Sequence, residues 1–197
     1  LWAASDATVQ TVPVDLHSTS LVEFRRHHSV LRTGEPIVKA ALYTLSEAWP
    51  KGVRFDELLS RACSLVGNRV ENSDVKSLIS LLLRRGFAGG IVELCCVPPK
   101  IQINPGERPR ASSLARVQAE AGATVINLWH QDVTLDTLRR SVIQSCDGRR
   151  TRAEIARDAA ARACKTSARS QRDILAHIES VLDDLIDGLS YQCLIID

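Results

Sequence analysis

The sequence predicts an α+β, mostly helical fold built as two tandem copies of one unit. Two observations predict it: a repeated order of punctuation, and apolar residues at helical spacing inside each repeat. Pro36 to Val97 and Thr134 to Ile196 follow the same plan. An amphipathic helix stops at a turn, Trp49-Pro50-Lys51-Gly52 in the first and Cys146-Asp147-Gly148 in the second. A short helix follows through Glu57-Leu58 and Glu154-Ile155. A third helix ends at a glycine with an apolar strand behind it, Gly86-Phe87 and Gly188-Leu189. Helix, turn, helix, helix, β-hairpin is the order of a winged-helix module, so two tandem winged-helix-like domains are expected. Such modules bind or assist more often than they catalyse.

The elements justify themselves in order. Residues 1–20 alternate weakly (Val12, Val14, Leu16) around Pro13 and read as an extended lead-in. Phe24 to His28 reads as a polar, basic approach to the first helix. Ile37, Val38, Ala41, Leu42, Leu45 and Trp49 then share a helical face. Pro50 ends that helix, because the residue before a proline is pushed out of the α region. Val53 and Phe55 suggest a short strand. Leu58, Leu59, Ala62, Cys63 and Val66 give the second helix, stopped by Gly67. The third opens at Ser73-Asp74, after Glu71, and its stripe is Val75, Leu78, Ile79, Leu82 and Leu83. Gly86 reads as its stop, and Ala88-Gly89-Gly90 as the tip of a wing hairpin.

Pro98, Pro99, Pro105 and Pro109 mark a linker. The organisation expected is a lead-in over 1–20, a first domain over 21–104 and a second over 105–197. In the second, Ser113 to Ala121 is a helix closed by Gly122, with Leu114, Val117 and Ala121 as its narrow buried stripe. Thr124 to Trp129 reads as a strand. Leu135, Leu138 and Val142 carry the next helix. Thr151-Arg152-Ala153-Glu154 has the spacing of a capping box, and Ile155, Ala159 and Ala163 follow on one face. The last helix presents Ile174, Leu175, Ile178, Val181, Leu182 and Leu185 before Gly188, and Tyr191 to Ile196 reads as a strand.

Composition bounds the chemistry. With 45% apolar and 24% charged residues a packed core can offset chain entropy. Only 4% are aromatic, so that core must rest on aliphatic side chains. No run reaches the roughly 18 apolar residues of a membrane span. The start has no secretory pattern and no residue is Met, so a cytoplasmic piece of a longer polypeptide is expected. The six cysteines form no CxxC and read as buried thiols in a reducing compartment, with no metal site. No glycine group forms GxGxxG or GxxxxGK[ST] between a strand and a helix, and no serine stands in GxSxG. Cys146 sits at a helix C-terminus, where the dipole would raise a thiol pKa, and His27-His28 reads as a solvated pair. No catalytic, cofactor-binding or metal residue is expected, so the chain alone is not read as an enzyme.

Nucleic acid is the usual partner of a winged helix, and charge argues against it here. The last helix carries Asp173, Glu179, Asp183, Asp184 and Asp187, which a phosphate backbone would repel. The net charge of +2 adds no global attraction. Positive charge gathers instead in Arg139, Arg140, Arg149, Arg150, Arg152, Arg157 and Arg162, a solvated face or a contact for an acidic protein surface.

One stretch is more specific than the rest. Arg108-Pro109-Arg110-Ala111-Ser112-Ser113-Leu114-Ala115-Arg116-Val117-Gln118-Ala119 leads through Val125-Ile126-Asn127-Leu128-Trp129-His130 to Cys146-Asp147-Gly148-Arg149-Arg150-Thr151-Arg152. It resembles the C-terminal region of bacterial class I S-adenosylmethionine-dependent methyltransferases that carry a methyltransferase regulatory domain, a group that includes rickettsial protein lysine methyltransferases. Trp129 stands where that family commonly has Arg, and Cys146 where it often has Leu. Ile37 to Pro50 is similar to the same family, less specifically. The resemblance implies an accessory region that positions a protein substrate or supports a homodimer. Its implied partner is an upstream domain of the same polypeptide that holds S-adenosylmethionine. A tandem DNA-binding regulator and a peptide chaperone for a modifying enzyme are the rival readings. The candidate interface or domain clamp comprises Arg108, Arg116, Asn127, His130, Arg149, Arg150 and Arg152, with Arg116 and His130 expected to hold the two domains together.

Overall fold

The computed structural model describes residues 1–9, 15–67, 73–164 and 171–196; Val12, Pro13, Val14 and Glu71 lie outside them. The fold is α+β and mostly helical, in two compact units, Leu1–Pro98 and Pro99–Asp197.

In the first unit the strands are β1 (Trp2–Ala4), β2 (Thr8–Val9), β3 (Val22–Arg26), β4 (Ser29–Thr33), β5 (Val53–Arg54) and β6 (Glu93–Cys95). The helices are α1 (Pro36–Ala48), α2 (Phe55–Leu65) and α3 (Ser73–Ala88). One antiparallel sheet has the order β5-β1-β6, with Ala3 opposite both Val53 and Leu94. The other has the order β2-β3-β4. Pro36 sits in the first turn of α1, where its missing N–H costs no hydrogen bond. The three helices pack Ile37, Leu42, Leu45, Leu58, Leu59, Ile79 and Leu82 into one core with Phe24 and Val92.

Phe24 to His28 therefore does more than approach a helix. It forms β3 and the turn into β4, with Phe24 fully buried and His27 and His28 exposed at the tip. Lys39, fully buried on α1, donates from Nζ to the carbonyls of Asp15, Ser18 and Ser20 at 2.9, 2.6 and 3.3 Å. Its charge is met by three backbone dipoles, and the segment ahead of β3 is pinned in return.

The expected wing hairpin is absent, and the reason is the end of α3. The helix runs through Gly86 to Ala88. Gly90, at φ +71°, takes the left-handed position, its N–H donating to Phe87 O at 3.1 Å while Ile91 N donates to Gly86 O at 2.8 Å. That is a Schellman closure, so the glycines cap a helix and the strand behind them pairs with β1. Gly86 has its own constraint, since a Cβ there would lie 2.9 Å from Val92 Cγ2. Leu78, expected in the core, is exposed at the edge of a stripe that buries Val75, Ile79, Leu82 and Leu83.

The second unit holds α4 (Ser113–Ala121), β7 (Thr124–Ile126), β8 (Asp132–Thr134), α5 (Thr137–Ser145), α6 (Arg152–Ala163) and α7 (Gln171–Tyr191). Its core joins α5, α6 and α7 through Val142, Ile143, Ile155, Ala159, Ile178, Leu182 and Ile186. Val181 packs against it only in part. Strand β7 ends at Ile126, short of the expected Trp129, because Asn127 begins a turn. Helix α7 runs past Gly188 to Tyr191, so the expected strand over 191–196 shrinks to bridges of Ile195 to Ala111 and Ile196 to Ile101. Its closure repeats that of α3. Cys193, at φ +61°, donates from N to Ser190 O, and Leu194 N donates to Leu189 O.

Helix α4 reverses expectation. Ala115 and Ala119 are fully buried, while Leu114 and Val117 stand 55% and 63% exposed and Ala121 is exposed as well. Two small side chains four residues apart let α4 approach the core closely, and the larger residues turn outward.

Candidate functional site

Five of the seven candidate residues, Arg108, Arg116, Arg149, Arg150 and Arg152, lie around the turn between α5 and α6. Asp147 starts that turn and accepts from the backbone N–H groups of Arg149 and Arg150 at 2.9 and 3.0 Å. Its other oxygen accepts from Arg150 Nη1 at 3.0 Å. Burial pushes the Asp147 carboxyl up, but these donors and the charges of Arg150 and Arg116 hold it below its ordinary value. Thr151 and Glu154 form the reciprocal capping box that the spacing predicted. Hydrogen bonds from Thr151, first its backbone N–H, hold the Glu154 carboxyl low, with a smaller contribution from the charges of Arg108 and Arg157.

The segment 105–111 straps across this turn. Gly148 N donates to Pro109 O at 3.1 Å, Ala111 N to Cys146 O at 2.8 Å, and Arg108 Nη1 to Arg149 O. Arg110 lays its methylenes on Gly148, within 3.2–3.3 Å of where a Cβ would stand. Gly148 also has φ +78°. Gly148→Ala is therefore expected to cost about 1–2 kcal/mol in denaturant unfolding. Gly122→Ala, at extended backbone with open space, should cost nothing measurable.

Most of the arginine cluster is committed inside the unit. Arg140 and Gln144 donate to Ala119 O, satisfying the C-terminal end of α4. Arg162 reaches Ser141 O and Ser145 Oγ at the end of α5. Arg139 pairs with Asp136, the N-cap of α5, and Arg150 with Asp147 and Asp158. Arg152 donates to Pro105 O and Gly106 O and pairs with Asp183 of α7. The guanidinium groups of Arg110 and Arg149 are exposed and carry no hydrogen bond or ion pair among the described residues.

Arg116 lies within its own unit, near Cys146 and Asp147, and its Nε is buried without a hydrogen-bond partner among the described residues. Asn127 is a hub of the β7–β8 turn. Its Oδ1 accepts from Trp129 N and Gln131 N, and its Nδ2 donates to Gln131 Oε1 and Gln192 O. His130, at φ +60°, is exposed at the tip of that turn, apart from the α5–α6 turn in sequence and hydrogen bonding. Sequence reasoning missed Arg110; its position beside Pro109 and opposite an Asp-Gly turn was the available signal.

The Cys146 thiol is pushed up to about 12, chiefly by burial rather than by the helix end, and stays protonated. Among the described residues no group of His, Cys, Asp and Glu could hold a metal ion, and no helix is long and apolar enough to cross a membrane.

Residues 107–194 match the family described as PKMT, C-terminal winged helix domain. The match covers most of the second unit, and the stretch from Arg108 to Arg152 lies inside it. No curated protein matches the sequence. Among solved structures, the whole chain superposes on PKMT2 from Rickettsia typhi with TM-score 0.64 at 13% identity. It also superposes on the same protein in complex with AdoHcy, with TM-score 0.66 at 13% identity. The chain spans 42% of each of those structures. At that identity the superposition establishes a shared fold.

Proposed function

We propose that the chain is the accessory, non-catalytic C-terminal region of a bacterial, cytoplasmic, S-adenosylmethionine-dependent protein lysine methyltransferase. There it places the protein substrate or supports the dimer. The observation that carries this reading is the match of residues 107–194 to the PKMT C-terminal winged-helix family. The chain's own residues do not fit the cofactor. Its glycines at positive φ, Gly67, Gly90 and Gly148, sit at helix ends and turns, whereas an adenosyl cofactor needs a glycine-rich turn between a strand and a helix N-terminus. The cofactor's partner is therefore a methyltransferase domain of the same polypeptide. Nucleic acid is disfavoured, because the exposed face of α7 displays Glu179, Asp183, Asp184 and Asp187.

Calorimetry of the 197-residue chain with S-adenosylmethionine should give no saturable heat. In the complete polypeptide, deleting residues 107–194 should lower methyl incorporation into protein lysine by about tenfold or more while cofactor binding persists. Micromolar cofactor binding by the chain itself, or undiminished methylation after the deletion, would overturn the reading.

A further inference from the structure

The two sheets of the first unit end on strands of unequal length. Strands β2 and β5 have two residues and β6 has three, whereas β4 has five and forms an outer edge of the sheet β2-β3-β4. Short strands, prolines and bulges are the usual ways of blunting an edge. Strand β4 uses none of them. It contains no proline, and its pairing with β3 runs unbroken from Arg26 and Ser29 to Val22 and Thr33.

Register decides what that edge offers. His27 and His28 make a two-residue hairpin turn, so Arg26 and Ser29 exchange both backbone hydrogen bonds. Bonded pairs then alternate along the hairpin, at Phe24 with Leu31 and at Val22 with Thr33. Val30 and Arg32 fall between them and direct their N–H and C=O groups away from β3. Among the described residues these groups have no backbone partner. The side chains of Val30 and Arg32 are exposed on one face, with Arg25 and Glu23 opposite them on β3. Glu23 pairs with both Arg25 and Arg32, so two guanidinium groups share one carboxylate. An unused ladder thus lies beside an excess of positive charge.

We propose that β4 takes up an extended, acidic segment of a protein partner as a fourth strand, antiparallel to it. In strand addition, main-chain bonds hold the segment and alternate side chains select it. The residue opposite Arg32 is then Asp or Glu, and the residue two further on, opposite Val30, is apolar. The residue between them lies on the other face, beside half-buried Leu31. The inference deepens the substrate-placing half of the function proposed above and rests on it, with the protein substrate as the partner. Its test reads peptide binding rather than methylation, so the two can fail separately.

Fluorescence anisotropy of the labelled peptide Thr-Thr-Glu-Val-Val-Thr-Thr with the full chain tests it. Binding should saturate. It should weaken at least about tenfold when the backbone nitrogens of Glu and of the second Val are methylated, since those N–H groups point at β4. Methylating only the first Val, whose N–H points to solvent, should change affinity less than about twofold. Arg32→Glu should weaken this peptide about fivefold with unchanged circular dichroism, and a peptide with Lys in place of Glu should recover the loss. A peptide that does not saturate would overturn the proposal. So would equal losses from methylating either edge of the peptide, or binding indifferent to Arg32→Glu.

Discussion

Arg26→Ala should destabilise the first unit by about 3 kcal/mol, the lower end of the range for removing one member of a buried ion cluster. Arg26 keeps only 2% of its side chain exposed. It pairs with Asp6 through Nε, with Glu93 at 2.9 Å and with Gly90 O at 3.0 Å. One guanidinium therefore ties β3 to the segment after β1, to β6 and to the turn that closes α3. The variant would strand two carboxylates that stay 21% and 23% exposed, and this residual hydration sets the lower end of the range. Arg26→Lys keeps the charge but lacks the fork that reaches three acceptors, and should recover only part of the loss. Urea unfolding of the three proteins reads both steps. Equal stability of wild type and Arg26→Ala would mean that the cluster merely balances its desolvation.

Leu82→Ala should cost about 2–5 kcal/mol by the same measurement, with the lost transfer energy compounded by the cavity left behind. Leu82 lies on the buried stripe of α3 beside Ile79 and Leu83 and is 5% exposed. Leu78→Ala is the control. It sits one residue before Ile79 on the same helix but faces solvent, so its change should stay within about 0.5 kcal/mol. A comparable loss at both positions would contradict the orientation of α3.

Local signals were legible wherever one short segment contains both halves of an interaction. The capping box of Thr151 and Glu154 spans three residues and stands as read. The end of α1 at Trp49-Pro50 follows from a backbone restriction of two adjacent residues. The arginines around the α5–α6 turn were legible only as composition. Which guanidinium groups are committed depends on acceptors up to 47 residues away, as with Arg152 and Pro105 O.

The sequence by itself determined the helix order, the duplicated plan and the aliphatic core. Each follows from periodicity or from residues adjacent in the chain. Tertiary structure alone decided where the strand behind each third helix goes. Both strands pair with segments that precede the helices of their own unit, β6 with β1 and Ile195 with Ala111, and no local pattern encodes a partner some ninety residues distant. It also placed Cys193 in the left-handed position that Gly90 fills in the first unit. A cysteine accepts that conformation there because Leu189 and Leu194 on either side of the closure are wholly buried, and their packing offsets the local strain.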